Sequence, residues 1–133
     1  MEFLFLGKHL EIAGINWNSS PLHAVLYLNT NCHFCRESTP FYREMADRLL
    51  GRPPGVSLSV FSVESPEVMK QYLANEQIAV DGIYKLPSSV AGMTGTPTWF
   101  ILDANGIVRR VFIGKLDGAQ EKELLKIVQA GVV

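Results

Sequence analysis

Apolar residues recur along this chain at two spacings, and each spacing marks a different kind of element. Ala24-Val25-Leu26-Tyr27-Leu28 closes a run that starts at Leu22 and is interrupted only by His23. A short apolar run without alternation is what a central strand buried on both faces needs. Val56 to Val63 is also strand-like, with Val56, Leu58 and Val60 on one face and Phe61 and Val63 on the other. Thr98 to Leu102 and Ile107 to Ile113 read as antiparallel partners joined by Asp103-Ala104-Asn105-Gly106, and Gly114 ends the second.

Helical spacing fills the intervals. Phe34, Phe41, Met45 and Leu49 form one stripe, predicted to be core, while Arg36, Glu37, Arg43, Glu44, Asp47 and Arg48 fall largely off it. Pro40 sits inside this pattern and predicts a kink, because it removes a donor and clashes with the preceding turn. Gly51 and Pro53-Pro54 then stop the helix. Ser65-Pro66-Glu67 starts another, with a capping hydroxyl, a proline at the first position and an acid next. Its expected apolar face is Val68, Met69, Tyr72 and Leu73, followed by a short strand over Ile78 to Val80 and a turn at Asp81-Gly82.

Residues 83 to 94 predict a loop with one helical turn at Ser88 to Ala91. Asp117 and Gln120 form a capping pair for a last helix carrying Leu124, Leu125, Ile127 and Val128, with Gly131 as its stop. Residues 1 to 21 read as an irregular lead-in, with a short strand or hairpin around Phe3 to Leu6 and Lys8 to Ile12. Trp17 is expected to plug the core edge, ahead of a turn at Asn18 to Pro21. Strand, helix, strand, helix, hairpin, helix predicts the α/β class: a central mixed sheet with helices on both faces and right-handed crossovers.

Length and charge narrow the function. One domain is the natural count for 133 residues, and 47% hydrophobic with 19% charged is ordinary for a globular chain. Twelve basic against thirteen acidic residues, a net charge of −1, argue against a nucleic-acid partner, which calls for a basic face. No apolar run approaches the roughly 20 residues of a membrane span. Phe3 to Leu6 is too short for a signal-peptide core, which by itself favours the cytoplasm.

The chemistry concentrates at Cys32-His33-Phe34-Cys35, which holds both cysteines of the chain where a strand gives way to a helix. Cys32 then falls at or near the N-cap and Cys35 in the first turn, bringing their Cα atoms within the roughly 5.5 Å that a disulfide spans. Unpaired N–H groups and the positive end of the helix dipole favour a thiolate there, and the thiolate is the reactive species. Dithiol–disulfide redox chemistry is the best reading. Half of a zinc site is the main rival, but beyond the two cysteines only His9, His23 and His33 are offered, and His33 is expected to point away. Haem attachment needs a histidine after the second cysteine, where Arg36 stands. A structural cross-link closing so short a loop constrains the unfolded chain little. No metal or other cofactor is assigned.

Three features together resemble the thioredoxin fold over most of the chain. They are the cysteine pair opening a helix that contains Pro40, Gly95-Thr96-Pro97 directly before the hairpin strand, and Gly114 closing the next strand. The resemblance implies that Pro97 is cis and faces the cysteines. The helix and short strand at about 66 to 80, with Thr96 to Asp103 and Asn105-Gly106, resemble the TlpA/ResA-like thiol–disulfide oxidoreductases of the redoxin superfamily. Those relatives are bacterial and commonly exported, which implies a periplasmic or extracytoplasmic protein whose leader is removed. Cys32 is then the exposed nucleophile, Cys35 the shielded resolving thiol, and Thr96 and Pro97 the contact for an extended substrate segment. His33 is expected to modulate Cys32 through a cation beside the sulfur, and Phe34 either to meet partners or to pack under the loop. The implied partners are protein thiols or disulfides and a redox partner, with a monomer expected.

Two positions depart from the family pattern. Asn31 replaces the usual tryptophan, and Leu26 stands where thioredoxins carry a buried acid. Glu37 is out of register with the glutamate of some ResA-like proteins and receives no role. A redoxin-type peroxidase would need threonine and proline where Asn29 and Val25 stand. A non-catalytic thioredoxin-fold binding module is the other alternative.

Overall fold

The computed structural model describes residues 4–133. Phe3, part of the expected first strand, lies outside the described residues.

Strand β1 (Leu22–Tyr27) is buried along its whole length, as its unbroken apolar run requires. It pairs in parallel with β2 (Ser57–Ser62) and antiparallel with β4 (Thr98–Asp103), so that Leu26 lies between Val60 and Trp99. β3 (Gly82–Lys85) and β5 (Val108–Ile113) add the edges, giving the order β3-β2-β1-β4-β5. The turn into β5 is built by Asp103, whose Oδ1 accepts the amides of Asn105 at 2.9 Å and Ile107 at 3.1 Å. Burial alone would raise the Asp103 carboxyl. The two amides and Arg109 more than offset that and hold it below the usual carboxylate range.

Among the described residues five α-helices accompany the strands: α1 (His33–Glu37), α2 (Thr39–Leu49), α3 (Pro66–Asn75), α4 (Ser88–Ala91) and α5 (Gly118–Ala130), the last following β5. On one face of the sheet, Leu26, Val60, Trp99 and Ile101 form a core with Met45 and Leu49 of α2, Met69 and Leu73 of α3, and Leu124 and Val128 of α5. The parallel steps β1-α2-β2 and β2-α3-β3 run in one direction across the sheet, so right-handed crossovers place both helices on one side. The other face, with Val25, Phe61, Phe100 and Leu102, is covered by Phe5, Leu10, Ile12 and Trp17 of the lead-in and by Leu86, with Val90 of α4 alongside. Helices therefore lie on both faces, three long ones on one side and short turns on the other.

Several expectations need correction. No hairpin forms in the described part of the lead-in. It is instead tied to the β4–β5 turn by an isolated bridge from His9 to Ile107, and by the Leu10 amide on the Gly106 carbonyl at 3.1 Å. Ile78 to Val80 is not a strand. Gln77 takes a left-handed φ of 57°, and the Ile78 amide turns back onto the Leu73 carbonyl at 2.9 Å, which closes α3 and takes that donor away from a ladder. The short strand is β3, beginning where a turn was predicted. Asp81 accepts the Leu58 amide on its carboxylate at 2.8 Å and so steers the chain onto β2. Val68, at the margin of the Met69–Leu73 stripe, is 49% exposed.

The single kinked helix after the cysteines is two helices. Ser38 separates them, its amide reaching the carbonyls of Phe34 and Cys35, both at 3.2 Å. Pro40 falls in the first turn of α2, where the missing donor is not needed.

Candidate active site

Cys32 is the N-cap of α1, and its Sγ accepts the Cys35 amide at 3.2 Å. The two cysteines are disulfide-bonded with Cα atoms 5.2 Å apart, close to the expected span. A turn fixes the approach: the Cys32 amide bonds to the Asn29 carbonyl at 3.3 Å, and the Cys32 carbonyl accepts the Arg36 amide at 3.2 Å. Cys32 is partly exposed, whereas Cys35 is 0% exposed and belongs to the helix-side core. One sulfur can be reached from outside and the other cannot.

The Thr96–Pro97 bond is cis, and Pro97 is buried at the entry to β4. Because Thr98 pairs with Tyr27, this turn sits at the end of the sheet where β1 runs out into the cysteine loop. The Gly114 amide holds the Pro97 carbonyl at 2.8 Å, and Thr98 Oγ1 donates to the Gly95 carbonyl at 2.7 Å. A second cis bond, Pro53–Pro54, had no signal beyond a helix stop.

His33 is exposed; its Nε2 lies 3.5 Å from Glu37 Oε2, and the other Glu37 oxygen meets Lys115 Nζ at 3.3 Å. Phe34, expected in the core stripe, is 52% exposed. The break at Ser38 resets the helical phase, and Cys35 takes the inward position. His9 pairs with Glu11 at 3.0 Å. His23 is buried between Ser57 Oγ and the Trp17 carbonyl, each at 2.6 Å, and burial holds its imidazole below the ordinary value. The three histidines are thus engaged in three separate places. Leu26 is 1% exposed within the helix-side core, and β1 carries no acid.

Sequence reasoning missed Glu64. Its carboxylate accepts both the amide and the hydroxyl of Thr30, each at 2.7 Å, two positions before Cys32. The partners are far apart in the chain, so no local pattern could reveal them. Among the described residues, Thr39 Oγ1 and Tyr42 OH are buried without hydrogen-bond partners on the helix side of Cys35, and burial pushes the Tyr42 phenol well above its ordinary value.

No family model and no curated protein sequence matches this chain. Solved structures match it in shape. A thiol-disulfide isomerase from Corynebacterium glutamicum superposes with a TM-score of 0.67 over 95% of this chain and 93% of its own, at 17% identity. A thiol:disulfide interchange protein of the thioredoxin family from Chlorobium tepidum TLS gives 0.63 over 84% of this chain and 82% of its own, at 21% identity. The chain has the thioredoxin-like fold. A secreted thiol-disulfide isomerase from Corynebacterium glutamicum shares it, with a TM-score of 0.63 over 83% of this chain and 70% of its own, at 17% identity. In this thioredoxin-like frame the cysteines stand where the parallel strands end and α1 begins. That geometry suits thiol–disulfide exchange, since an N-cap sulfur meets unpaired amide donors. No helix among the described residues is long and apolar enough to cross a membrane.

Proposed function

We propose that this protein is a TlpA/ResA-like thiol–disulfide oxidoreductase, one thioredoxin-like domain exchanging electrons with protein disulfides and dithiols. The observation that carries the reading is the asymmetry of the pair: Cys32 is reachable at the N-cap of α1, while Cys35 is sealed beneath it. In the reduced form the Cys32 thiolate attacks one sulfur of a partner disulfide. A Cys32–partner bond forms, and the partner's other sulfur leaves as a thiolate that takes up a proton. Cys35, having given up its proton, attacks Cys32 Sγ, closes the internal disulfide and releases the second partner sulfur. Two electrons have then passed to the partner, and the oxidised pair runs the sequence backwards.

Thr96 and Pro97 are the proposed substrate contact. Thr96 makes no backbone hydrogen bond among the described residues, which leaves its amide and carbonyl for an extended segment laid beside it. Phe34, exposed beside Cys32, offers the same partner an apolar surface. His33 is the proposed modulator of the Cys32 sulfur. The resemblance to exported relatives, and a structural relative described as secreted, support an extracytoplasmic location for a monomer working with a separate redox partner.

Equilibration with reduced and oxidised glutathione tests this. The pair is expected to cycle reversibly at a defined potential, and Cys32→Ser to abolish exchange. A disulfide that ignores both glutathione and dithiothreitol would falsify the reading and favour a binding module.

A further inference from the structure

We propose that Glu64 is a positioning residue for the nucleophile, acting through Thr30; the proposal rests on the oxidoreductase reading. Glu64 stands just past the end of β2 and spends both carboxylate oxygens on Thr30, one on its amide and one on its hydroxyl, each at 2.7 Å. The remaining polar group of Thr30, its carbonyl, accepts Arg36 Nη2 at 2.9 Å. Every hydrogen-bonding group of Thr30 is therefore held by an ionic side chain, one from the exit of β2 and one from α1. Such charge-assisted bonds are stronger than neutral ones. Thr30 is inside the turn that the Cys32 amide closes on the Asn29 carbonyl at 3.3 Å. Ser62 Oγ braces the same turn, donating to Asn29 Oδ1 at 3.3 Å and accepting the Glu64 amide at 3.1 Å.

The chemistry needs such a brace in one redox state above all. While the disulfide is closed, the bond to Cys35 itself holds Cys32 in place. When it opens, the Cys32 thiolate keeps its stabilisation only if Sγ stays at the N-cap of α1, facing the Cys35 amide. The Glu64–Thr30–Arg36 clamp does not involve either sulfur, so it survives reduction and keeps the loop in register. Loss of the clamp should raise the thiolate midpoint and disfavour the reduced form. Loss of the Glu64 charge alone would act oppositely, because an anion near a thiolate opposes it. The sign of the shift separates the two effects.

The experiment uses the full chain and two readouts: thiolate ultraviolet absorbance against pH, and the redox equilibrium with glutathione. Glu64→Ala is expected to raise the midpoint and shift the equilibrium toward the disulfide about fivefold, the scale of one lost hydrogen bond. Glu64→Gln should recover most of this, since its amide accepts from the Thr30 amide and donates to the Thr30 oxygen. Thr30→Val should give a smaller shift of the same sign. If Glu64→Ala does not fold, Thr30→Val set against Thr30→Ser, which keeps both bonds, carries the same comparison. Unchanged values, a falling midpoint, or Glu64→Gln no better than Glu64→Ala overturn the proposal. A wild-type pair that does not equilibrate with glutathione defeats the oxidoreductase reading itself, whereas a cycling wild type with indifferent variants defeats only the role of Glu64.

Discussion

The Gly114 amide donates to the Pro97 carbonyl across 2.8 Å, tying the end of β5 to the turn that enters β4. Gly114 reaches it with a φ of 83°, and an added Cβ would meet nothing within 4 Å. Gly114→Ala therefore carries backbone strain without a clash, a loss of about 1–2 kcal/mol. Denaturant unfolding should show that loss, with slower disulfide exchange because the proline turn loosens. Wild-type stability in this variant would mean that the turn relaxes without cost.

Burial holds the His23 imidazole below its ordinary value, so the folded protein prefers the neutral ring. The stability this contributes is fully present above the unfolded-state pKa, near 6.5, and drains away as pH falls from there through the folded value. Asp103 is also held low, and its contribution is lost only in the more acidic range, below the ordinary carboxylate value. Wild-type unfolding free energy should thus decline between pH 7 and about 5. His23→Gln, with no titrating ring, should be less stable at pH 7 but flatter across that window. An equally steep slope in the variant would place the titration elsewhere.

Tyr42 stacks edge-on against Trp99 at 5.9 Å while its buried hydroxyl finds no hydrogen-bond partner among the described residues. Tyr42→Phe keeps the ring and removes a buried unpaired group, so stability should hold or rise by about 1 kcal/mol. The check is the denaturant midpoint at unchanged slope. A fall of that size would reveal a partner for the hydroxyl.

Cys35→Ser removes the buried thiol proposed to resolve the intermediate and should accumulate mixed disulfides between Cys32 and protein partners, visible by non-reducing electrophoresis and mass spectrometry. Cys32→Ser should accumulate none, since Cys35 is 0% exposed. Equal trapping by both variants would contradict the assigned roles.

His33→Ala should raise the Cys32 thiolate midpoint if the ring acts on the sulfur as proposed, and Glu37→Gln should lower it, because a carboxylate 3.5 Å from the ring opposes negative charge on the same helix end. A midpoint that ignores both changes removes His33 from the site.

The strands that carry well-spaced or continuous apolar residues were legible in the chain. β1, β2, β4 and β5 follow directly from their apolar spacing, and the Ser65 and Asp117 caps mark α3 and α5 where they begin. β3 was not legible, because Gly82-Ile83-Tyr84-Lys85 is a half-buried edge whose pairing with β2 alone defines it. Phe34 was misplaced because a single stripe assumes an unbroken helix, and the break at Ser38 is set by hydrogen bonds that the spacing does not encode. The cysteine chemistry could be read because both sulfurs are neighbours in the chain. Glu64 could not, because its relation to Thr30 exists only after β1 and β2 have paired.

The described residues before β1 behave as a lid nailed to the back of the sheet. Phe5 sits 5.0 Å from Phe100, ring edge to face, and the Gly7 amide reaches the Val108 carbonyl at 2.8 Å. A fragment trimmed to begin at Pro21 would keep both cysteines and strip Phe5, Leu10, Ile12 and Trp17 from one of two hydrophobic cores. It should bind a hydrophobic dye or associate with itself, even though its sulfurs, at the far edge, are untouched.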